Sequence, residues 1–279
     1  NAYSFVVTYA NIDGYVPSST PSRELSNPLD KWIISDLEKL VKKATAGFDS
    51  YQIQDATQAL LSFIDDLNNW YIRRSRRRFW RSENDSDKKQ AYDTLYRVLM
   101  TVIKVACPMI PFVTEAIYQN LKTDGDVESV HLSDYPEYDE SERDFKLEDE
   151  MEIIMKTIEM GRALRATSNL KVRQPLKEFV VVSRNDQHRE NLEKNKDIIL
   201  EELNVKDVKV RADESDLVSY SAKANFKVLG AKLGKSMKEV ASIIQNFTDG
   251  EIASILDGND KTISYSNGEI TITEGDLVV

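Results

Sequence analysis

One apolar stripe that turns into arginine constrains this chain more than any other feature. Ile53, Ala56, Leu60, Phe63, Leu67 and Trp70 recur at alternating three- and four-residue steps. That spacing marks one face of a helix set against a core. The next positions of the same stripe are Arg74, Arg77 and Arg81. They belong to NWYIRRSRRRFWR, residues 69–81, which holds Arg73, Arg74, Arg76, Arg77, Arg78 and Arg81 and not one acid. Extending the helical period predicts that a core seam becomes arginine and that this end of the helix leaves the hydrophobic core.

The arginines stand out because the chain as a whole carries a formal charge of -10. An acidic protein that gathers positive charge in one helix has a polyanion to meet there. Guanidinium suits a nucleic-acid backbone: it stays charged, offers a planar fork of donors to phosphate, and stacks on bases. Trp70, Tyr71, Phe79 and Trp80 interleave with the arginines and add stacking surface. The expected RNA-binding residues are therefore Arg73, Arg74, Arg76, Arg77, Arg78, Trp80 and Arg81. The competing reading is a solvated helix end whose arginines pair with Glu83, Asp85, Asp87 or acids elsewhere.

The negative charge is concentrated as well. Residues 134–152 (DYPEYDESERDFKLEDEME) hold 10 acids and two bases, so most of the net charge sits in this one segment. It reads as a solvated acidic hinge. The single cysteine, Cys107, excludes an internal disulfide and any Cys-x-x-Cys metal pair. Its setting, VACPMIPF, is that of a core thiol rather than a nucleophile. No apolar run approaches the length of a membrane span, and no signal peptide is present, so a reducing cytoplasmic setting is expected.

The punctuation predicts a multi-domain chain, an all-α helical bundle followed by a smaller α+β domain. Residues 1–26, with VPSSTPSRELSNP, read as an extended linker, and the non-Met start reads as a fragment. Residues 27–133 read as four antiparallel helices. The first is capped by Asn27, opened by Pro28, lined by Leu29, Ile33, Leu37, Leu40 and Ala44, and stopped by Gly47. The second is the arginine helix. The third carries Leu95, Val98, Leu99, Val102 and Val105, and the fourth starts at Pro111 with Phe112, Ala116, Ile117 and Leu121 facing inward. Residues 134–148 form the hinge. Residues 149–279 read as α+β: a helix, the strand EFVVVS, a helix around 187–203, the strand VKDVKV, a short strand FKVLG, the helix MKEVASIIQNF, a helix capped by Thr248, and the hairpin KTISYSNGEITIT around its Asn-Gly turn.

Most motifs of chemistry fail on spacing. GAKLGKS (230–236) imitates a phosphate-binding loop, but Gly230 and Gly234 enclose three residues where the pattern needs four. KSMK (235–238) echoes a KMSKS loop in the wrong order. His131 and His188 lack partners at useful spacing, so no catalytic or metal site is expected. KVRQPL (171–176) sets Lys171 and Arg173 on one side of an extended, acid-free segment. Lys171, Arg173 and Gln174 are candidates for RNA contact, against the alternative of an edge strand protected by Pro175.

Taken in order, NPLDKWIISDLEKLV, NNWYIRRSRRRFW, CPMIPFVTEAIYQNL, SVHLSDYP, NLKVRQPL and NFKVLGAKLGK resemble class I isoleucyl-tRNA synthetases over residues 27–246. The core motifs are shared with the valyl and leucyl enzymes. NFKVLGAKLGK and the long C-terminal part favour the isoleucine enzyme, of the eukaryotic cytosolic kind, and the single cysteine rules out for this segment the four-cysteine zinc module in which bacterial relatives often end. The resemblance implies an anticodon-binding domain at about 27–140 and a junction domain at about 146–279, with tRNA-Ile as partner. It also implies catalytic and editing domains elsewhere in the parent, which uses ATP and Mg²⁺, while this segment needs no cofactor and no metal. Two other readings stay open: the same region of a valyl or leucyl enzyme, and a scaffold that docks other synthetases.

Overall fold

A computed structural model describes residues 2–17, 24–80, 86–213 and 221–279. The chain divides into two compact units, Asn1–Met155 and Lys156–Val279.

The first unit is helical. Its leading residues are not extended: α1 spans Ala2–Asp13. Val6 is buried and Phe5 meets Phe79 edge-on, with ring centroids 5.1 Å apart. The end of α1 is tied down by Asp13, which accepts from Tyr92 Oη at 2.5 Å and pairs with the buried Lys88 at 2.7 Å. Apolar burial at one end and a charged anchor at the other make a helix of a segment whose downstream Pro/Ser/Thr run suggested a linker. Part of that run, residues 18–23, lies outside the described residues.

Asn27 caps α2 (Pro28–Asp49) as its sequence predicts, accepting from the Leu29 amide at 2.9 Å. Ile33, Leu37, Leu40 and Ala44 are buried. Gly47 is not the stop, because the helix runs past it. A Cβ there would stand 2.9 Å from the Ala56 backbone nitrogen, so Gly47 is what lets α2 approach α3 (Ile53–Asp66). A six-residue π-helix, Leu67–Ile72, joins α3 to α4 (Arg73–Trp80). Then come α5 (Ser86–Ala106), which buries the expected Leu95, Val98, Leu99, Val102 and Val105, and α6 (Pro111–Leu121).

The inner face of α6 differs from expectation. Phe112 is 89% exposed and Ala116 is exposed, while Thr114, Tyr118 and Leu121 are buried. The rotation is fixed from outside the helix. Tyr118 Oη donates to Val127 O at 2.8 Å, and Glu115 accepts from Ser129 Oγ at 2.9 Å and the Val130 amide at 3.0 Å.

The acidic segment is not a solvated hinge. Glu38 of α2 accepts the Asp139 amide at 2.9 Å, Arg97 of α5 pairs with Glu142, and Arg143 forks onto Glu148 with bonds of 2.5 and 2.6 Å. Ser35 donates to Glu148 and accepts the Asp144 amide at 2.8 Å. Basic side chains within the unit neutralise enough of the acids to seat the segment on the bundle. The boundary between units falls later, inside α7 (Phe145–Thr167).

The second unit is α+β. Strand β1 (Phe179–Val182) pairs in parallel with β2 (Val208–Arg211), Phe179 opposite Val208. The connection holds α8 (Asp186–Lys194) and α9 (Lys196–Leu203), two helices where one was expected, meeting at Asn195. FKVLG is helical, not a strand: α10 covers Phe226–Leu233, with Asn225 as its cap. Gly230 therefore sits inside a helix, which removes the strand-then-loop geometry that a phosphate loop requires. Next come α11 (Met237–Gln245) and α12 (Asp249–Leu256), and Thr248 and Glu251 form a reciprocal capping box on α12. The Asn-Gly signal holds: β4 (Lys261–Tyr265) and β5 (Gly268–Ile272) form an antiparallel hairpin. A short pair, β3 (Lys223–Ala224) with β6 (Leu277–Val278), completes the sheet structure. Leu229, Val240, Ile244, Ile252, Ile255 and Ile272 form the core beneath the hairpin.

Candidate nucleic-acid interface

The π-helix decides which arginines reach solvent. A π turn takes up one residue more than an α turn and acts as an insertion in the helical count. The alternating three- and four-residue steps carry the stripe from Leu67 to residues 70, 74 and 77. The buried positions are instead Tyr71, Ser75 and Arg78, each displaced by one. Asn68 supports the changeover by donating its side-chain amide to Ile64 O at 2.7 Å. The core seam therefore continues through α4 and takes in Arg78.

Arg78 is consequently buried on the inner side of α4. Its guanidinium forks onto Asp30 of α2 at 2.7 and 2.8 Å, reaches the Asp87 carboxylate at 2.8 Å, and donates to Asp87 O at 3.0 Å. Tyr71 Oη donates to the same Asp30 at 2.7 Å. Burial by itself lowers the Arg78 pKa, but the bonds and charge of Asp30 outweigh it and hold the guanidinium above its ordinary value. Burial, reinforced by Asp30, also pushes the Tyr71 hydroxyl far up, so Tyr71 stays a neutral donor. The internal ion-pair alternative thus holds for this arginine.

Arg73, Arg76 and Arg77 are exposed on α4, and Arg74 is half-buried. Trp80 is 57% exposed and donates through Nε1 to Tyr9 Oη at 2.7 Å. Phe79 is buried between Phe5 and Tyr92. Arg81 lies outside the described residues. The outer face of α4 is thus three arginines with an aromatic ring at its end, over an inner face on which Arg78 is paired with Asp30 and Asp87.

Two exposed aromatics, Tyr51 and Phe112, are not among the RNA-binding residues expected from the sequence. Tyr51, in the α2–α3 turn, is 91% exposed with a left-handed φ of 58°. Phe112 opens α6. A contact of 3.4 Å between Thr57 Oγ1 and Met109 Sδ links the start of α3 to the α5–α6 turn. A bulky residue at positive φ was the one available signal, and it is a backbone property that composition does not carry.

In the second unit, Lys171, Val172, Arg173 and Gln174 are all exposed. They form a turn rather than an extended edge, with the Gln174 amide donating to Lys171 O at 3.0 Å. Only at Leu176 does the chain join the parallel ladder, opposite Val205. Beneath the turn lies buried Arg165, near the end of α7. It donates to the carbonyls of Lys171 and Gln174, each at 3.0 Å, and to those of Leu203 at 2.6 Å and Asn204 at 3.1 Å.

Cys107 is half-buried, and burial raises its thiol pKa, as suits a packing residue. Among the described residues no group of His, Cys, Asp and Glu is placed to hold a metal ion, and no helix is long and apolar enough to cross a membrane.

The described residues thus hold a helical unit with an arginine face and an α+β unit with a basic turn. The family model for the anticodon-binding domain of tRNA ligase matches residues 30–181, and the chain belongs to that family. The chain is 47% identical to the isoleucine–tRNA ligase of Treponema denticola over 291 residues, covering 100% of this chain and 26% of that protein. It is 44% identical to the isoleucine–tRNA ligase of Treponema pallidum, covering 100% of this chain and 27% of that one. The isoleucine–tRNA ligase of Protochlamydia amoebophila is 41% identical over 280 residues, again 100% of this chain and 27% of the relative. The chain thus spans about a quarter of the length of the curated relatives it matches. These relatives are bacterial and align across the whole chain, NFKVLGAKLGK included. The expectation of a eukaryotic cytosolic type is therefore not supported.

Proposed function

We propose that this chain is the tRNA-holding region of an isoleucine–tRNA ligase. The observation that carries the reading is likeness to enzymes of that name along its entire length. In this reading the rest of the parent joins isoleucine to tRNA-Ile with ATP and Mg²⁺ in the cytoplasm, and the present chain positions the anticodon arm without a cofactor. Arg73, Arg76 and Arg77 bind backbone phosphate, with Arg74 at the margin and Arg81 continuing the run in sequence. Trp80 stacks at the end of the face. Such contacts set affinity and register but carry no sequence information.

Base discrimination belongs to groups that stack on or hydrogen-bond unpaired bases. Tyr51 in the α2–α3 turn, Phe112 at the start of α6, and Lys171, Arg173 and Gln174 in the second unit meet that description. A filter-binding panel of isoleucine, valine and leucine tRNA transcripts against the full chain tests the reading. Tightest binding of the isoleucine transcript is expected. Preference for either other tRNA would move the chain to a valyl or leucyl enzyme, and equal, salt-insensitive retention of all three would contradict RNA binding.

A further inference from the structure

Arg165 is a buried cation spent entirely on backbone. The four carbonyls it binds come from the two ends of the 171–174 turn and from the end of α9. A lysine ammonium, with a single nitrogen, cannot span that set as the guanidinium fork does. Asn204 adds a second tie. It sits in the left-handed conformation (φ 49°) that ends α9, and its side chain donates to Val172 O at 2.9 Å. Asn204 O also accepts the Leu176 amide at 3.2 Å.

The carbonyls of Lys171, Val172 and Gln174 are thereby all drawn inward. A surface turn ordinarily displays carbonyl oxygens, which repel phosphate. This one withdraws three of them and leaves exposed Lys171, Arg173 and Gln174 side chains on the outer side, with exposed Lys177 and Lys206 beside the ladder that follows. A turn fixed in advance also avoids the ordering cost that a mobile loop meets on binding.

We propose that Arg165 is a positioning residue for RNA binding: tied to both ends of the 171–174 turn, it holds Lys171 and Arg173 in the conformation that meets the tRNA backbone. This rests on the reading that the second unit contacts tRNA. Arg165 touches no RNA itself. Its removal leaves every outward cation in place and returns to the turn the freedom that binding must then remove.

The test is filter binding of an isoleucine tRNA transcript to the full chain across a salt series. Arg165→Met, Lys171→Ala/Arg173→Ala and the triple variant are compared below their melting temperatures. Lys171→Ala/Arg173→Ala should weaken binding and lower the slope of log affinity against log salt by about 1.4–1.8 for two lost phosphate contacts. Arg165→Met should weaken binding about tenfold and leave the slope at the parent value, because the cations remain. The triple variant should bind no more weakly than the double. Unchanged affinity in folded Arg165→Met, beside a weakened double variant, overturns the positioning role alone. Unchanged affinity in both shows that the turn does not meet RNA, which overturns the proposal together with the second-unit reading while leaving the α4 face to its own test. If Arg165→Met does not fold, Asn204→Gly keeps the left-handed backbone and removes only the tie to Val172. It should weaken binding about threefold at constant slope, being one tie of several, and unchanged affinity there overturns the proposal.

Discussion

At the scale of single residues, the arginine run separates into two kinds that composition cannot tell apart. Six arginines in nine positions gave a sound reason to look for a polyanion, and Arg73, Arg76 and Arg77 do face outward. Arg78 has the same side chain and the opposite fate, because Asp30 is fixed one helix away to receive it. That pairing is long-range, and no local pattern announces it. Arg78→Ala leaves Asp30 buried beside a neutral tyrosine, so it should cost about 3–5 kcal/mol of stability. Arg77→Ala should leave the melting temperature near the parent value. Equal melting temperatures for the two variants in thermal denaturation would remove Arg78 from the core. Asp66 supplies a pH signal. Burial, with Asp36 and Asp65 nearby, raises its carboxyl to about 7. The folded state therefore holds its proton more tightly than the unfolded chain, and stability falls as pH rises from about 4 toward 7. Asp66→Asn should gain about 1–2 kcal/mol at pH 8, allowing for the water that the half-buried group keeps, and nothing near pH 3. A gain in urea unfolding that is the same at both pH values would contradict this origin.

At the scale of elements, the sequence spoke clearly wherever period and cap were local. The Asn27–Pro28 start, the inner face of α5, the Thr248 cap and the Asn-Gly hairpin are all as read. It misled wherever a tertiary partner set the rotation or the conformation, as for α6, for FKVLG and for the turn above Arg165. The π-helix is the instructive case, since beyond it Tyr71, Ser75 and Arg78 are buried one residue after the positions that the three- and four-residue steps predict. Three changes test the elements. Deleting exposed Asn69 should let the π turn relax to α and keep Arg78 facing Asp30. Deleting exposed Ser62, in a regular turn, should rotate everything after it by about 100° and unfold the unit. Comparable melting of the two deletions would show that the π turn is not an inserted residue. Gly47→Ala should lose about 1–2 kcal/mol despite the better helix propensity of alanine, because the new methyl meets the Ala56 backbone. A stabilised variant would contradict that close approach.

At the scale of the whole molecule, the class of each half was legible and the seam between them was not. The alternation of periods predicted a helical part followed by an α+β part. Charge alone predicts a hinge at 134–148, because seven acids in so short a run suggest solvent. Their partners, Arg97 and Ser35, lie far away in sequence, so the seating of that segment on the first unit was invisible. Trypsin should therefore spare the bond after Arg143 until that unit melts, and early cleavage there under native conditions would restore the solvated hinge. The central claim is that this chain grips tRNA through the outer face of α4 while the inner face of the same helix holds the fold. Its most direct test is the salt dependence of tRNA binding by the full chain and by Arg73→Ala/Arg77→Ala. A slope of log affinity against log salt reduced by about 1.4–1.8, with all tRNAs weakened alike and melting unchanged, is the predicted result. An unchanged slope, or a loss confined to melting temperature, would contradict it.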